Sequence, residues 1–299
     1  MAFKILSWCP NRELEVVLSA TLEDLPYEIV VQDDALASNP TAKEQWLESV
    51  RPNAIISLLP STLADIDDAY LEQVSQVVAY CAVNNVPIIQ VSSYRVFGEG
   101  YSVTALQEDA EPGAQDELGV RLNKLEALYA NLSQKIIVRT GWLLNSAVDS
   151  VFAQLIPPLL ERDSKLVVSD HHFGCPLPKE FLAKALVAMS QQILCGAENW
   201  GVFHLHSADS CSEAELGDQL VRVFNADYQQ DLQLPTVASK DDSRYHFVGS
   251  ANILGRRCTD NFGIQLPTWR KGFKNLVAQW LKSNAQYSHL LDLKTSDKK

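Results

Sequence analysis

Five short apolar runs rich in β-branched residues, FKILSW, YEIVVQ, NAIISLL, VPIIQVS and KIIVRTGW, punctuate the first half of the chain. Stretches with apolar residues at helical spacing separate them; Tyr70, Leu71, Val74, Val77, Val78 and Cys81, for example, fall on one broad helical face. Near-continuous apolar runs belong to strands buried on both faces, so the alternation predicts a parallel sheet with helices packed on either side. Right-handed crossovers then give an α/β fold, a doubly wound Rossmann-like parallel sheet whose ligand crevice lies at the carboxyl ends of the strands.

Past Trp142 the rhythm changes to a helix interrupted by Pro157 and Pro158, a strand (KLVVSD), a loop rich in His and Pro, and further helices. This shift predicts a smaller C-terminal substrate-side lobe. The expected organisation is a Rossmann-like NAD(P)-binding-type domain over 1–145, with later segments free to return to its sheet. A mainly substrate-binding lobe follows over 146–290, and then a flexible tail over 291–299. The closing amphipathic helix carries Phe273, Leu276, Val277, Trp280 and Leu281 on its apolar side. Trp142, Trp269 and Trp280 sit among aliphatics and read as packing residues.

A net charge of -12 would repel a phosphate backbone, which argues against nucleic acid as a partner. No run of about 18 apolar residues is present, which argues against a membrane span. The opening MAFKILSWCPNRELE lacks the long apolar core of a signal peptide, so a cytoplasmic location is expected. Six cysteines (Cys9, Cys81, Cys175, Cys195, Cys211 and Cys258) include no Cys-x-x-Cys pair, the pattern of reduced thiols rather than a zinc ribbon.

Six stretches, in order, carry a family resemblance: RPNAIISLLPSTLADIDDA, VPIIQVSSYRVFGEG, KIIVRTGWLLN, LVVSDHHFGCPL, GVFHLHSADSCSEAELGDQL and FGIQLPTWRKGF. Together they resemble the dTDP-4-dehydrorhamnose reductase (RmlD-like) family of extended short-chain dehydrogenases. The resemblance implies NAD(P) as cofactor and a nucleotide-linked 4-keto sugar as substrate. It also implies a catalytic Tyr with a Lys four residues later, and a Ser or Thr that hydrogen-bonds the substrate carbonyl. Ser93 of SSYRVF aligns with that hydroxyl. The helix that should carry Tyr and Lys reads LGVRLNKLEAL, and two registers are open. One keeps Lys124 and puts Val120 at the Tyr position; the other puts Leu118 there and Leu122 at the Lys position. Neither supplies the tyrosine, and Tyr94 and Tyr129 are the nearest in sequence.

The cofactor turn is altered too. A Gly-rich turn after the first strand lets the backbone approach a pyrophosphate at a helix N-terminus, but no glycine precedes Gly98. The corresponding SWCPNRELE places Trp8, Pro10 and Arg12 where a dinucleotide would lie, and Pro10 lacks a backbone donor. Asp33 and Asp34, after the second strand, stand where a ribose-binding acid would, yet without the turn they read as loop residues. No cofactor is assigned with this turn, and NAD(P) stays open.

On the substrate side, Arg139, Asp170 and His204 are candidates, with Arg139 able to hold an anion or to serve the sheet itself. No metal site is assigned; a metal-dependent hydrolase built on His171, His172, His204 and His206 lacks ligands fixed by spacing. The expected function is an RmlD-like sugar-nucleotide-binding protein with lost or impaired reductase activity and a ligand-sensing or regulatory role. Its expected partner is a small-molecule ligand or a protein, with a homodimer among the forms considered. The alternative is an active NAD(P)H-dependent reductase of a nucleotide-linked 4-keto sugar.

Overall fold

The computed structural model describes residues 3–8, 11–23, 25–32, 40–98, 104–147, 149–163, 166–238 and 251–293. In chain order the first lobe runs β1 (Phe3–Trp8), α1 (Arg12–Leu22), β2 (Tyr27–Val31), α2 (Pro40–Val50), β3 (Ala54–Ser57), α3 (Asp68–Asn84), β4 (Ile88–Ser93), α4 (Glu117–Leu128) and β5 (Lys135–Thr140). Then come β6 (Leu143–Leu144), α5 (Val151–Leu160), β7 (Val167–Ser169), β8 (Phe173–Gly174), β9 (Leu177–Pro178), α6 (Lys179–Leu194) and β10 (Gly201–Leu205). The chain closes with β11 (Cys211–Ser212), α7 (Glu213–Tyr228), β12 (Thr236–Ala238), α8 (Arg257–Phe262) and α9 (Phe273–Ser283).

Six strands form one parallel sheet in the order β10-β5-β4-β3-β1-β2. Every residue of β3 and β4 is buried, which is why those segments read as unbroken apolar runs. Strand order reverses beside β1, and at that switch point the carboxyl ends of β1, β3, β4 and β5 open the crevice. Side-chain caps set where several helices begin: Asp67 accepts from the Tyr70 amide at 2.7 Å, Asp116 from Gly119 at 3.0 Å and Ser150 from Ala153 at 3.2 Å. A reciprocal Ser212–Glu215 capping box starts α7.

Later segments return to the sheet. β10 pairs with β5, α6 packs on α1, and Cys258, Phe262 and Ile264 join the sheet's core. A second core, built from Trp142, Phe152, Phe224, Trp269, Phe273 and Trp280, lies in the lobe. Phe273 is met edge-on by Phe152 at 5.6 Å and by Trp269 at 5.3 Å.

α5 runs through Pro157 and Pro158 to Leu160 instead of breaking there. Both prolines fall near the helix end, where each removes a single donor, while Phe152, Leu155, Ile156 and Leu159 bury the apolar face. Residues 285–293 form a 3-10 run in which Tyr287 donates its hydroxyl to Glu161 at 2.7 Å and the Leu293 carbonyl accepts from the Gln229 side chain at 3.0 Å. Residues 294–299 lie outside the described residues.

Candidate functional site

β4 delivers Ser93, Tyr94 and Arg95 in succession to the crevice. Ser93 is the last strand residue; its hydroxyl accepts from the Arg95 amide at 3.4 Å and starts the 3-10 turn Tyr94–Phe97. These residues line a cavity of about 80 Å³ together with Asn11 from the turn after β1, Thr140 and Trp142 from β5 and its sequel, and Asn145 and Asp149 from the lobe. Tyr94 is hydrogen-bonded to Trp142, and burial raises its phenol above the usual range. Drug-sized pockets run to roughly 300–1,000 Å³, so this cavity by itself suits a few heavy atoms.

The first turn of α1 decides whether a pyrophosphate fits. Asn11 caps the helix through its own side chain: Oδ1 accepts from the Leu14 amide at 3.1 Å and Nδ2 donates to the Leu59 carbonyl at 3.0 Å. Glu13, in the same turn, is ion-paired with Lys179 and accepts from the Ser146 amide at 3.2 and 3.1 Å. Glu15 lies buried two residues further on. A helix start capped by a side chain and bearing two carboxylates opposes a phosphate where the fold would hold one. The residues present therefore do not fit NAD(P) in its usual place. Trp8 is buried in the sheet core with the Lys43 ammonium 5.3 Å from its ring centroid, and Arg12 is solvent-exposed at the first position of α1. Pro10, Asp33 and Asp34 lie outside the described residues.

The two registers open for the family's Tyr and Lys fall on different flanks of α4. Val120 and Lys124 are exposed, on the flank turned away from the sheet. Leu118 packs against the sheet core and Leu122 is fully buried in it. The flank that carries the second pair packs on the sheet and is aliphatic at both positions, and no residue of α4 lines the cavity with Ser93. Tyr129, at the end of the helix, is buried and donates its hydroxyl to Gln90.

Arg139 leaves the sheet on the side opposite Ser93's neighbours in the crevice. Its guanidinium makes a buried, bidentate pair with Glu126 (Nη2 to Oε2 2.8 Å, Nε to Oε1 3.1 Å) and lies 5.0 Å from the Phe97 ring centroid. Ser92, next to Ser93 but facing the other way, donates to Glu126 at 2.6 Å. His204 stands beside Arg139 across the β5–β10 ladder, with Nδ1 3.1 Å from the Leu254 carbonyl. Burial, reinforced by the Arg139 charge, pulls its imidazole down to about 3. Asp170 is exposed next to His171, on an open groove of the lobe away from the crevice.

Both ring nitrogens of His206 are occupied: Nδ1 lies 2.6 Å from the Ser207 carbonyl, and Nε2 accepts from the Gly255 amide at 3.0 Å. The His172 ring packs edge-on against Trp142. Among the described residues no three His, Cys, Asp or Glu side chains gather as a metal ion requires. No helix is long and apolar enough to cross a membrane among those residues.

A family model for the RmlD substrate binding domain matches residues 66–282, most of the chain. The chain belongs to the RmlD family. Solved structures that share the fold of this RmlD-type chain include a dTDP-4-dehydrorhamnose reductase from Clostridium acetobutylicum (TM-score 0.73, 19% identity, covering 92% of this chain and 98% of that one). Another is the dTDP-4-dehydrorhamnose reductase of Bacillus anthracis in complex with NADP (TM-score 0.69, 19% identity, 93% and 99%). A third is the Bordetella bronchiseptica enzyme WbmG in complex with NAD (TM-score 0.72, 14% identity, 95% and 95%). No curated protein matches the chain.

Within this RmlD-type chain, sequence reasoning passed over Asn11, Glu13, Arg95, Asn145 and Asp149. Asn11 alone left a readable signal, a helix-capping residue directly before an apolar-periodic stretch. The others reach the crevice through contacts far apart in sequence.

Proposed function

We propose that this RmlD-type chain keeps the sugar-nucleotide reductase scaffold but not its reduction chemistry, and acts as a ligand-sensing or regulatory protein. The observation that supports the reading is that neither register of α4 supplies a tyrosine, and its flank packed on the sheet presents Leu118 and Leu122. Losing a general acid typically costs about two to four orders of magnitude in rate. The capped, acidic first turn of α1 supports the same reading from the cofactor side. A small molecule would fill the crevice in the cytoplasm, and a protein partner or a second copy of the chain would read the bound state. Calorimetric titration with NADH and NADPH, then with dTDP-sugars, tests it. No heat from either cofactor, in folded protein, is the expected result; tight dinucleotide binding overturns the reading.

One observation favours a second reading, an active NAD(P)H-dependent reductase. Tyr94 lines the cavity beside Ser93 and could supply the proton that α4 does not. In that case Tyr94→Phe abolishes cofactor oxidation with a 4-keto sugar nucleotide; if the unmodified chain oxidises no cofactor, this reading falls.

A further inference from the structure

The cavity beside Ser93 holds polar groups whose bonding capacity the protein leaves unused. Arg95, half-buried, meets no carboxylate among the described residues, although its backbone amide is engaged by Ser93. The Ser93 hydroxyl accepts that bond and retains its proton to donate. Also lining the cavity, Asn145 Oδ1 is buried without a hydrogen-bond partner among the described residues. Among the same residues Asp149 uses only Oδ2, which accepts from the Leu63 amide at 2.8 Å. One small space therefore offers a cation and a hydroxyl donor together with acceptors. Leu14, Leu59 and Val91 supply apolar wall.

We infer that this cavity binds a small carboxylic acid carrying a hydrogen-bond donor, ammonium or hydroxyl, on the adjacent carbon: a short 2-amino or 2-hydroxy acid. The inference rests on the reading that no dinucleotide fills the crevice. A planar guanidinium matches a carboxylate in two parallel bonds, which Ser93 supplements. The donor on the next carbon satisfies Asn145 Oδ1, an acceptor whose burial without a partner is otherwise costly. Size agrees, since one water-sized position takes about 10–15 Å³. A cavity of about 80 Å³ thus holds roughly five to eight such positions, the heavy-atom count of a short amino or hydroxy acid.

The test is calorimetric titration of the full chain with L-alanine, L-lactate, pyruvate and propionate, with NADPH titrated into the same preparation. Alanine or lactate is expected to bind at least about ten-fold more tightly than pyruvate or propionate, the value of one hydrogen bond to a buried group. Preference for alanine assigns the donor's partner to the Asp149 carboxylate, and preference for lactate assigns it to Asn145; either supports the site. Arg95→Met should abolish binding of all four; Asn145→Leu should erase an advantage of lactate, and Asp149→Asn an advantage of alanine. Equal binding of propionate, or no binding of any acid to protein with native circular dichroism, overturns the inference without any variant having to fold. NADPH binding instead overturns the non-reductase reading, so the two failures are distinguishable.

Discussion

Glu13, in the first turn of α1, is ion-paired with Lys179 at the start of α6, joining residues 166 positions apart. The same carboxylate accepts from the Ser146 amide, so one side chain ties the sheet's first helix to the lobe beside the crevice. Both side chains are largely buried (25% and 11% exposed), which puts the pair outside the class of weak surface bridges. Glu13→Gln should therefore cost about 1–3 kcal/mol, because it leaves a largely buried ammonium without its counter-charge. Urea unfolding of Glu13→Gln, Lys179→Met and the double variant measures this. A coupling energy near zero would mean that the contact does not hold the lobe.

The Arg139–Glu126 pair is more deeply buried, at 5% and 9% exposure, and removing one charge should be more damaging. Arg139→Met alone is expected to cost about 3–5 kcal/mol, since Glu126 then stays buried and uncompensated. Arg139→Met combined with Glu126→Leu should recover much of that loss. If the double variant is less stable than the single one, the pair contributes net stability rather than mutual compensation.

His204 makes stability depend on pH in a defined direction. Its ordinary value of 6.5 falls to about 3 in the fold, so between those values the unfolded chain binds a proton that the native imidazole refuses. The contribution is full above 6.5 and is lost as pH falls from there towards 3, with a slope of up to ~1.4 kcal/mol per pH unit. Chemical denaturation at about pH 7 and about pH 5 should show the loss, and His204→Gln should flatten it. An unchanged slope in that variant would assign the acid sensitivity to other groups.

Gly119 is enclosed where α4 meets the turn that carries Arg95. A Cβ there would lie 2.2 Å from the Ala114 Cβ and 2.8 Å from the Arg95 carbonyl oxygen. Gly119→Ala should lower stability by about 1–3 kcal/mol despite alanine's better helix propensity. A thermal melt decides: a raised midpoint would mean that α4 can move away from the turn without loss.

The sequence by itself determined the sheet. Parallel strands covered on both faces must be apolar at every position, so β1, β3, β4 and β5 stand out as runs, and the intervening helices follow from spacing and caps such as Asp67 and Ser212. It also determined the family, because motif order along the chain survives when single motifs decay. The loss of glycine after β1 and of tyrosine from α4 was equally legible, since an absent residue type needs no coordinates.

Tertiary structure decided the rest. Val120 with Lys124 and Leu118 with Leu122 have the same spacing, and only the docking of α4 on the sheet selects which pair faces inward. Arg139 could have served an anion or the fold until Glu126 closed on it from the preceding helix. Glu13, Arg95, Asn145 and Asp149 gain their surroundings from segments brought together across the crevice. Sequence periodicity records which face of an element is buried, whereas a site is a meeting of side chains from different elements, and that meeting is fixed only when the elements pack.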